Sequence, residues 1–183
     1  MFQALGPYHP IIVHTPVALL VFSAFFAIVG RLFDREWVRK AAVLLLVFGF
    51  LGAFAAVQSG QVAHRVPEHQ QGVPEHDIDE HGEAGEWVLR VSGAALLAYA
   101  IATRLKGGVA SAVTALALVL QIMAAVAVGV TGYRGGKLVY DHGANVRIGG
   151  VLVKNPGAAT HEGGAPAAPG RERRRAILTG GYP

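Results

Sequence analysis

The chain has 183 residues, of which 52% are hydrophobic, and its mean hydropathy of +0.42 is too high for an ordinary soluble domain. The absence of cysteine excludes disulfides, iron–sulfur clusters, covalently attached c-type haem and thiolate metal sites. The formal net charge of +4 indicates no nucleic-acid partner, because the basic residues fall in short loops between apolar runs and in one tail segment. Composition therefore predicts an integral membrane protein.

Four long apolar runs dominate the chain, and they cover residues 10–29, 41–57, 87–103 and 109–130. Each run has about 17–22 residues and almost no charge, which at about 1.5 Å per residue is enough to cross a hydrocarbon core of about 30 Å. The runs lack the alternation of barrel strands, so helices must satisfy their backbone in lipid. The sequence predicts an all-α membrane protein with a four-transmembrane-helix bundle in residues 1–134, its helices at about 10–31, 40–58, 86–104 and 109–132.

The charges in the loops predict how these helices are oriented. Residues 1–8 contain no basic stretch and no clear cleavage site, so we expect the first helix to be retained. The second loop, residues 59–86, is acidic, whereas the first and third loops are basic. The positive-inside rule then predicts a multi-pass protein of the inner (cytoplasmic) membrane with both termini extracytoplasmic. The basic loop residues are Arg31, Arg35, Arg39 and Lys40 in the first loop and Arg104 and Lys106 in the third.

The residues after the fourth run form two further segments. In residues 135–154, two short apolar stretches flank Gly149 and Gly150, a signal for a short extracytoplasmic β-hairpin. Residues 155–183 are rich in Gly, Ala and Pro, a low-complexity composition typical of an extended, disordered tail unless a partner protein holds it.

Small residues at helical spacing occur in the second and fourth runs and predict close helix packing in lipid. They are Gly49, Gly52, Ala53, Ala56 and Gly60 in and just after the second run, and Ala125, Gly129 and Gly132 in and just after the fourth.

The histidines gather at one kind of helix end, which the predicted topology places on the extracytoplasmic face. They are His9, His14, His64, His69, His76, His81 and His142, with His161 in the tail. A haem, a metal ion or a proton path would each use imidazoles at a bundle rim. His14 lies about one turn inside the first helix, where an ionisable residue needs a partner, and His81 has acidic neighbours that would orient its ring. Histidines satisfied by a backbone carbonyl or water are the alternative.

Two imidazoles on different helices of a bundle can bind a b-type haem, and Arg90 and Arg134 could pair with its propionates, with lipid headgroups as their alternative partners. A zinc or copper ion held by His14 and His81 is another possibility, as is no cofactor at all. The sequence contains no nucleophile–base arrangement and no phosphate-binding loop, so no catalytic residue is predicted.

Three segments of the chain resemble a bacterial membrane-protein family known as domain of unknown function 2231. They are residues 9–20 (HPIIVHTPVALL), 80–84 (EHGEA) and 131–146 (TGYRGGKLVYDHGANV), and the resemblance covers about residues 8–147. It implies a four-helix protein whose genes are often found beside cytochrome genes or fused to them. Among the histidines, it selects His9, His14, His81 and His142.

Two hypotheses for function follow. In the first, the chain is a small redox-associated membrane subunit that binds b-type haem at the extracytoplasmic face for electron transfer with a partner such as a cytochrome c. Its expected ligands are His14 and His81, with His142 and His9 as further candidates. In the second, the chain is a non-catalytic accessory subunit of a large respiratory or photosynthetic complex, docked through its helices and tail. A metal-handling protein is a third, weaker option.

Overall fold

The structure is a computed structural model, and it describes residues 2–64, 70 and 72–153. A 3₁₀ helix at Phe2–Tyr8 leads into helices α1 (His9–Ile12), α2 (His14–Leu32), α3 (Glu36–Ala63), α4 (Glu75–Ala102) and α5 (Gly107–Tyr140), followed by strands β1 (Arg147–Ile148) and β2 (Val151–Leu152). The predicted tail at 155–183, together with His69 and His161, lies outside the described residues.

Three helical segments of the described chain are long and apolar enough to cross a membrane, namely Leu5–Leu32, Glu36–Ala63 and Gly107–Tyr140. The first comprises the end of the 3₁₀ helix, α1 and α2. Helix α1 ends at Ile12 because Pro16 has no N–H to donate to the carbonyl of that residue. The prediction that the apolar runs form helices is thus confirmed. Three of the helical segments also have the length and composition of membrane spans.

Helix α4 differs most from the prediction, because it begins at Glu75 rather than at about residue 86. Pro74 precedes it in an extended conformation, and Glu75 and Asp77 lie in its first turn, where carboxylates interact favourably with the helix dipole. Hydropathy detects only the apolar part of a helix, so it missed these charged turns. They also lower the mean hydropathy of α4.

Helices α2 to α5 pack as an antiparallel bundle in which each contacts its neighbours in chain order and α5 closes against α2. Leu20, Leu46, Val88, Ala95 and Val128 form the buried centre. The small residues of α3 act as predicted, since a Cβ at Gly49 would lie 2.7 Å from the Leu20 side chain. Many large apolar side chains on the outer faces remain exposed, as expected for surfaces in lipid.

A chain of hydrogen bonds joins all four long helices inside the bundle. Tyr99 of α4 donates to Oε1 of Gln121 in α5 over 2.7 Å, and Nε2 of Gln121 donates to Oγ of Ser23 in α2. Ser23 in turn donates to the carbonyl of Ala42 in α3 over 2.9 Å. Ser23 and Gln121 are almost completely buried, and each side chain in this series of hydrogen bonds has a partner. The helices are therefore fixed in register as well as packed.

The two ends of the bundle differ. One end, which we call the histidine end, holds the start of α1, the end of α3, the start of α4 and the end of α5. The other, which we call the basic end, holds the connections at 33–35 and 103–106.

A small cap covers part of the histidine end and contains the predicted hairpin. Strands β1 and β2 pair antiparallel through the turn at Gly149 and Gly150, both of which have positive φ. The side chain of Gln70, almost fully buried, donates to the carbonyls of Gly143 and Val153 and accepts from the N–H of Asn145. Beneath it, a small apolar cluster is made of Ile78, Leu138 and Ala144 with Val73.

Candidate functional site

The rings of His9 and His81 meet at the histidine end. Their centroids lie 6.3 Å apart and their planes cross at 79°. His9 is the first residue of α1 and His81 lies two turns into α4, so the two rings come from different helices. Both side chains are half-buried. We call them the histidine pair.

Hydrogen bonds determine which ring nitrogen of each histidine carries the proton. Nδ1 of His81 lies 3.1 Å from the carbonyl oxygen of Thr131, which can only accept, so Nδ1 of His81 must be the donor. Nδ1 of His9 lies 2.9 Å from Oγ of Ser59, whose own proton is donated to the carbonyl of Ala56. Nδ1 of His9 is therefore also a donor. In the neutral form, both rings present an unprotonated Nε2.

Two glycines make room for the rings. A Cβ at Gly60 in α3 would lie 3.1 Å from Cε1 of His9, and a Cβ at Gly135 in α5 would lie 2.9 Å from Cε1 of His81. Each ring is thus held in the same way, by one hydrogen bond at Nδ1 and one glycine at Cε1. In each case, a single neighbouring helix supplies both contacts.

Charged groups lie around the pair, and among the described residues none of them hydrogen-bonds to either Nε2 atom. Arg134 donates to the carbonyl of Glu80 over 2.9 Å, and its guanidinium lies 3.7 Å from the Glu80 carboxylate. His64 lies 3.7 Å from the carboxylate of Asp79. Burial lowers the pKa of His81, and the nearby His64 and Arg134 lower it further, which together outweigh the raising effect of the hydrogen bond to the Thr131 carbonyl. This shift favours the neutral imidazole, the form in which histidine binds metal ions.

Asp77 is the centre of a second group at this end. Its carboxylate lies 3.1 Å from Nζ of Lys137 and 2.7 Å from Nε2 of His142. Burial acts to raise the pKa of Asp77, but hydrogen bonds from Lys137 and His142 outweigh it and hold that pKa below its usual value. The group ties the end of α5 and the residues after it to the start of α4.

The structure brings together only some of the predicted site residues. His81 pairs with His9, whereas His14 is exposed and its Nδ1 lies 2.6 Å from the carbonyl of Pro10 one turn earlier. Arg90 is also exposed, bound to Glu86 over 2.6 Å and placed over the Trp87 ring. His14 remains a predicted ligand, but the contacts of the described residues favour His9 as the partner of His81.

Sequence reasoning missed Ser59 and Thr131, which orient the pair, and Gly60 and Gly135, which seat it. Both hydrogen bonds join residues 50 positions apart. Gly60 belongs to the stripe of small residues that predicts close helix packing, and this position is the signal that the sequence offers for its role at the site.

Because Nδ1 of each ring is engaged in a hydrogen bond, Nε2 is the atom through which either imidazole could bind a metal ion or a haem iron. The hydrogen bonds at Nδ1 are those that usually orient metal-binding histidines. Within residues 2–64, 70 and 72–153, no group of three or more His, Asp or Glu side chains is placed to hold a metal ion.

Comparisons with known proteins give one match. A family model described as "Predicted membrane protein (DUF2231)" matches residues 6–147, which include the bundle, the histidine pair and the start of the hairpin. Searches of curated proteins and of solved structures found no significant match.

Proposed function

Since the chain belongs to the DUF2231 family of predicted membrane proteins, we propose that it is a small integral-membrane redox subunit whose histidine pair ligates the iron of a b-type haem. The observation that carries this proposal is the pair itself: two imidazoles from different helices, each with Nδ1 engaged in a hydrogen bond and with no hydrogen-bond partner at Nε2 among the residues that the structure describes. Two imidazoles from different helices of a bundle are the type of ligand that bis-histidine haem sites use.

The proposal includes a fourth membrane span formed by α4. This helix lies antiparallel along α5, so that Asp77 meets Lys137 near one end and Tyr99 meets Gln121 further along. If α5 crosses the bilayer, α4 must accompany it. The charges of Glu86 and Arg90 pair with each other one turn apart, and a long arginine side chain can reach the headgroup region from there.

Orientation follows from the basic end. The positive-inside rule assigns that end to the cytoplasm and the histidine end, with its cap and hairpin, to the extracytoplasmic side of the inner membrane. A haem at this end could exchange electrons with a partner outside the membrane, such as a cytochrome c.

Each residue of the site has a defined task in this proposal. His9 and His81 hold the iron, while Ser59 and the Thr131 carbonyl fix the tautomer and the direction of the two rings. The haem supplies one-electron chemistry, and the protein sets its position and potential through these contacts. Arg134 lies at the same end, within reach of Glu80, and adds positive charge beside an anionic cofactor.

A reduced-minus-oxidised absorption spectrum of the full chain, purified from membranes, tests the proposal together with elemental analysis for iron, zinc and copper. We expect a b-type α band that disappears in His9→Ala and in His81→Ala. The matched controls are His14→Ala and His76→Ala, which should keep the band. A protein that carries zinc or copper at the pair instead of iron would make it a metal-handling site, and a colourless, metal-free protein would refute ligation altogether.

A second candidate function is that of a non-catalytic accessory subunit of a large respiratory or photosynthetic complex. It is favoured by the outer face of α5, where Gly129 and Gly132 are exposed and a Cβ at either position would meet nothing within 4 Å. Another transmembrane helix could approach closely there. Gly129→Leu with Gly132→Leu should then shift the chain to a smaller complex on native gels of mild-detergent extracts, and an unchanged complex would count against docking through α5.

A further inference from the structure

A cavity of about 390 Å³ opens at the basic end of the bundle, on the opposite side of the molecule from the histidine pair. It lies between all four long helices. Its lining consists of Ala27 and Arg31 from α2, Glu36, Arg39, Lys40 and Val43 from α3, Tyr99 from α4, and Thr114 and Leu118 from α5.

The charges that line this cavity are mainly positive. Arg31, Arg39 and Lys40 face one carboxylate, that of Glu36, which is paired with Lys40 over 2.8 Å. Arg39 is paired with Asp34, also over 2.8 Å. Among the described residues, no carboxylate lies within ion-pair distance of the Arg31 guanidinium. Once these two ion pairs are subtracted, the positive charge of Arg31 is left at the cavity.

The rest of the lining changes from polar to apolar along the bundle axis. Ala27 lies one turn from Arg31, Val43 one turn from Lys40, and Leu118 one turn from Thr114, each time toward the middle of the bundle. The hydroxyl protons of Tyr99 and Thr114 are already donated to Gln121 and to the carbonyl of Ala110. Donors for an anion must therefore come from the basic side chains at the mouth.

We propose that this cavity binds one anionic phospholipid, with the headgroup phosphate on Arg31 and Lys40 and the first acyl carbons along Ala27, Val43 and Leu118. A guanidinium fork matches two phosphate oxygens, and an ammonium group supplies a further charge-assisted hydrogen bond. Basic pockets between transmembrane helices at the headgroup level are suited to such lipids. A free phosphate ion would use the basic mouth but would gain nothing from the apolar wall.

Native mass spectrometry of the full chain tests this proposal, after the protein has been incubated with mixed micelles of phosphatidylglycerol and phosphatidylcholine at equal concentration. We expect one retained phosphatidylglycerol per chain, and at least about tenfold weaker retention in the Arg31→Gln/Lys40→Gln double variant, because both charge-assisted contacts to the phosphate are lost. The matched control Arg104→Gln/Lys106→Gln removes the same number of charges at the same end but outside the cavity, so it should retain lipid like the wild type.

Two further experiments distinguish binding of a lipid from binding of a free anion. Leu118→Trp would fill the apolar part and leave every basic residue in place, and it should also weaken retention of the lipid. Inorganic phosphate and glycerol 3-phosphate at millimolar concentration should not displace the lipid. Equal retention of both phospholipids, full retention by Leu118→Trp, or displacement by inorganic phosphate would each overturn the proposal.

Discussion

Replacing Gly135 by alanine should damage the histidine pair although alanine is the better helix former. Gly135 lies inside α5, and its added Cβ would sit 2.9 Å from Cε1 and 3.3 Å from Nδ1 of His81. The first distance is shorter than a normal carbon–carbon contact, so the ring must move. Because Nδ1 of His81 is held 3.1 Å from the Thr131 carbonyl, such a movement lengthens or breaks that hydrogen bond.

The expected change in the free energy of unfolding follows from two opposing effects. Alanine in place of glycine in a helix contributes about 0.5–1 kcal/mol of stability. Overpacking a filled site typically costs about 1–3 kcal/mol. At Gly132, three residues earlier in the same helix, a Cβ would meet nothing within 4 Å, so Gly132→Ala receives the gain without the cost. The two variants should therefore differ in free energy of unfolding by about 1–3 kcal/mol, the overpacking cost alone.

Two measurements check this expectation. Thermal unfolding in one detergent should give the order Gly132→Ala above wild type, and Gly135→Ala equal to or below wild type. Nitrogen-15 NMR of the histidine rings should show His81 shifted in Gly135→Ala and unchanged in Gly132→Ala. If both variants are equally stabilised and the His81 signals stay in place, the ring does not occupy the position that Gly135 leaves open, and our account of the site is wrong.

Three other substitutions test the remaining polar contacts. Gln121→Leu removes the centre of the chain that joins the four helices, and we expect it to destabilise the bundle by about 1–2 kcal/mol in thermal unfolding, the size of two interhelical hydrogen bonds in lipid. Gln70→Ala should accelerate hydrogen exchange at the N–H of Asn145, which loses its acceptor, whereas Gln61→Ala, an exposed control on α3, should not. Asp77→Asn should increase exchange in the cap at pH 7. In wild type, the same loosening should appear only as the pH falls below about 4, because a carboxyl with a lowered folded-state pKa loses its contribution when it becomes protonated.

The sequence was sufficient for the helical class and the hairpin, because both depend on local patterns. Apolar runs long enough to cross a bilayer predict helices, and two glycines between apolar stretches predict the turn that β1 and β2 use. The ends of the helices were harder to predict from the sequence. The first turns of α4 are held by ion pairs and hydrogen bonds to α5, such as Asp77 with Lys137, and a hydropathy pattern contains no record of such contacts.

The choice between His9 and His14 shows where sequence reasoning stops at the site itself. Both residues lie near the start of the first span, five positions apart, and the motif favours neither. A separation of five residues turns a helix by about 140° beyond one full turn, so the two rings cannot share a face. Which face points inward depends on α3, where Ser59 and Gly60 together offer an acceptor and an open space for His9.

The same argument implies that the pair depends as much on α3 and α5 as on the helices that carry the histidines. Ser59 and Gly60 are adjacent in α3, while Thr131 and Gly135 lie one turn apart in α5. Each helix thus presents a hydrogen-bond acceptor and a missing side chain to one imidazole. Without its acceptor, an imidazole would remain in place but could rotate. Ser59→Ala should therefore weaken haem binding at the pair although His9 is still present. Such an outcome would distinguish an oriented ligand site from two histidines that merely stack.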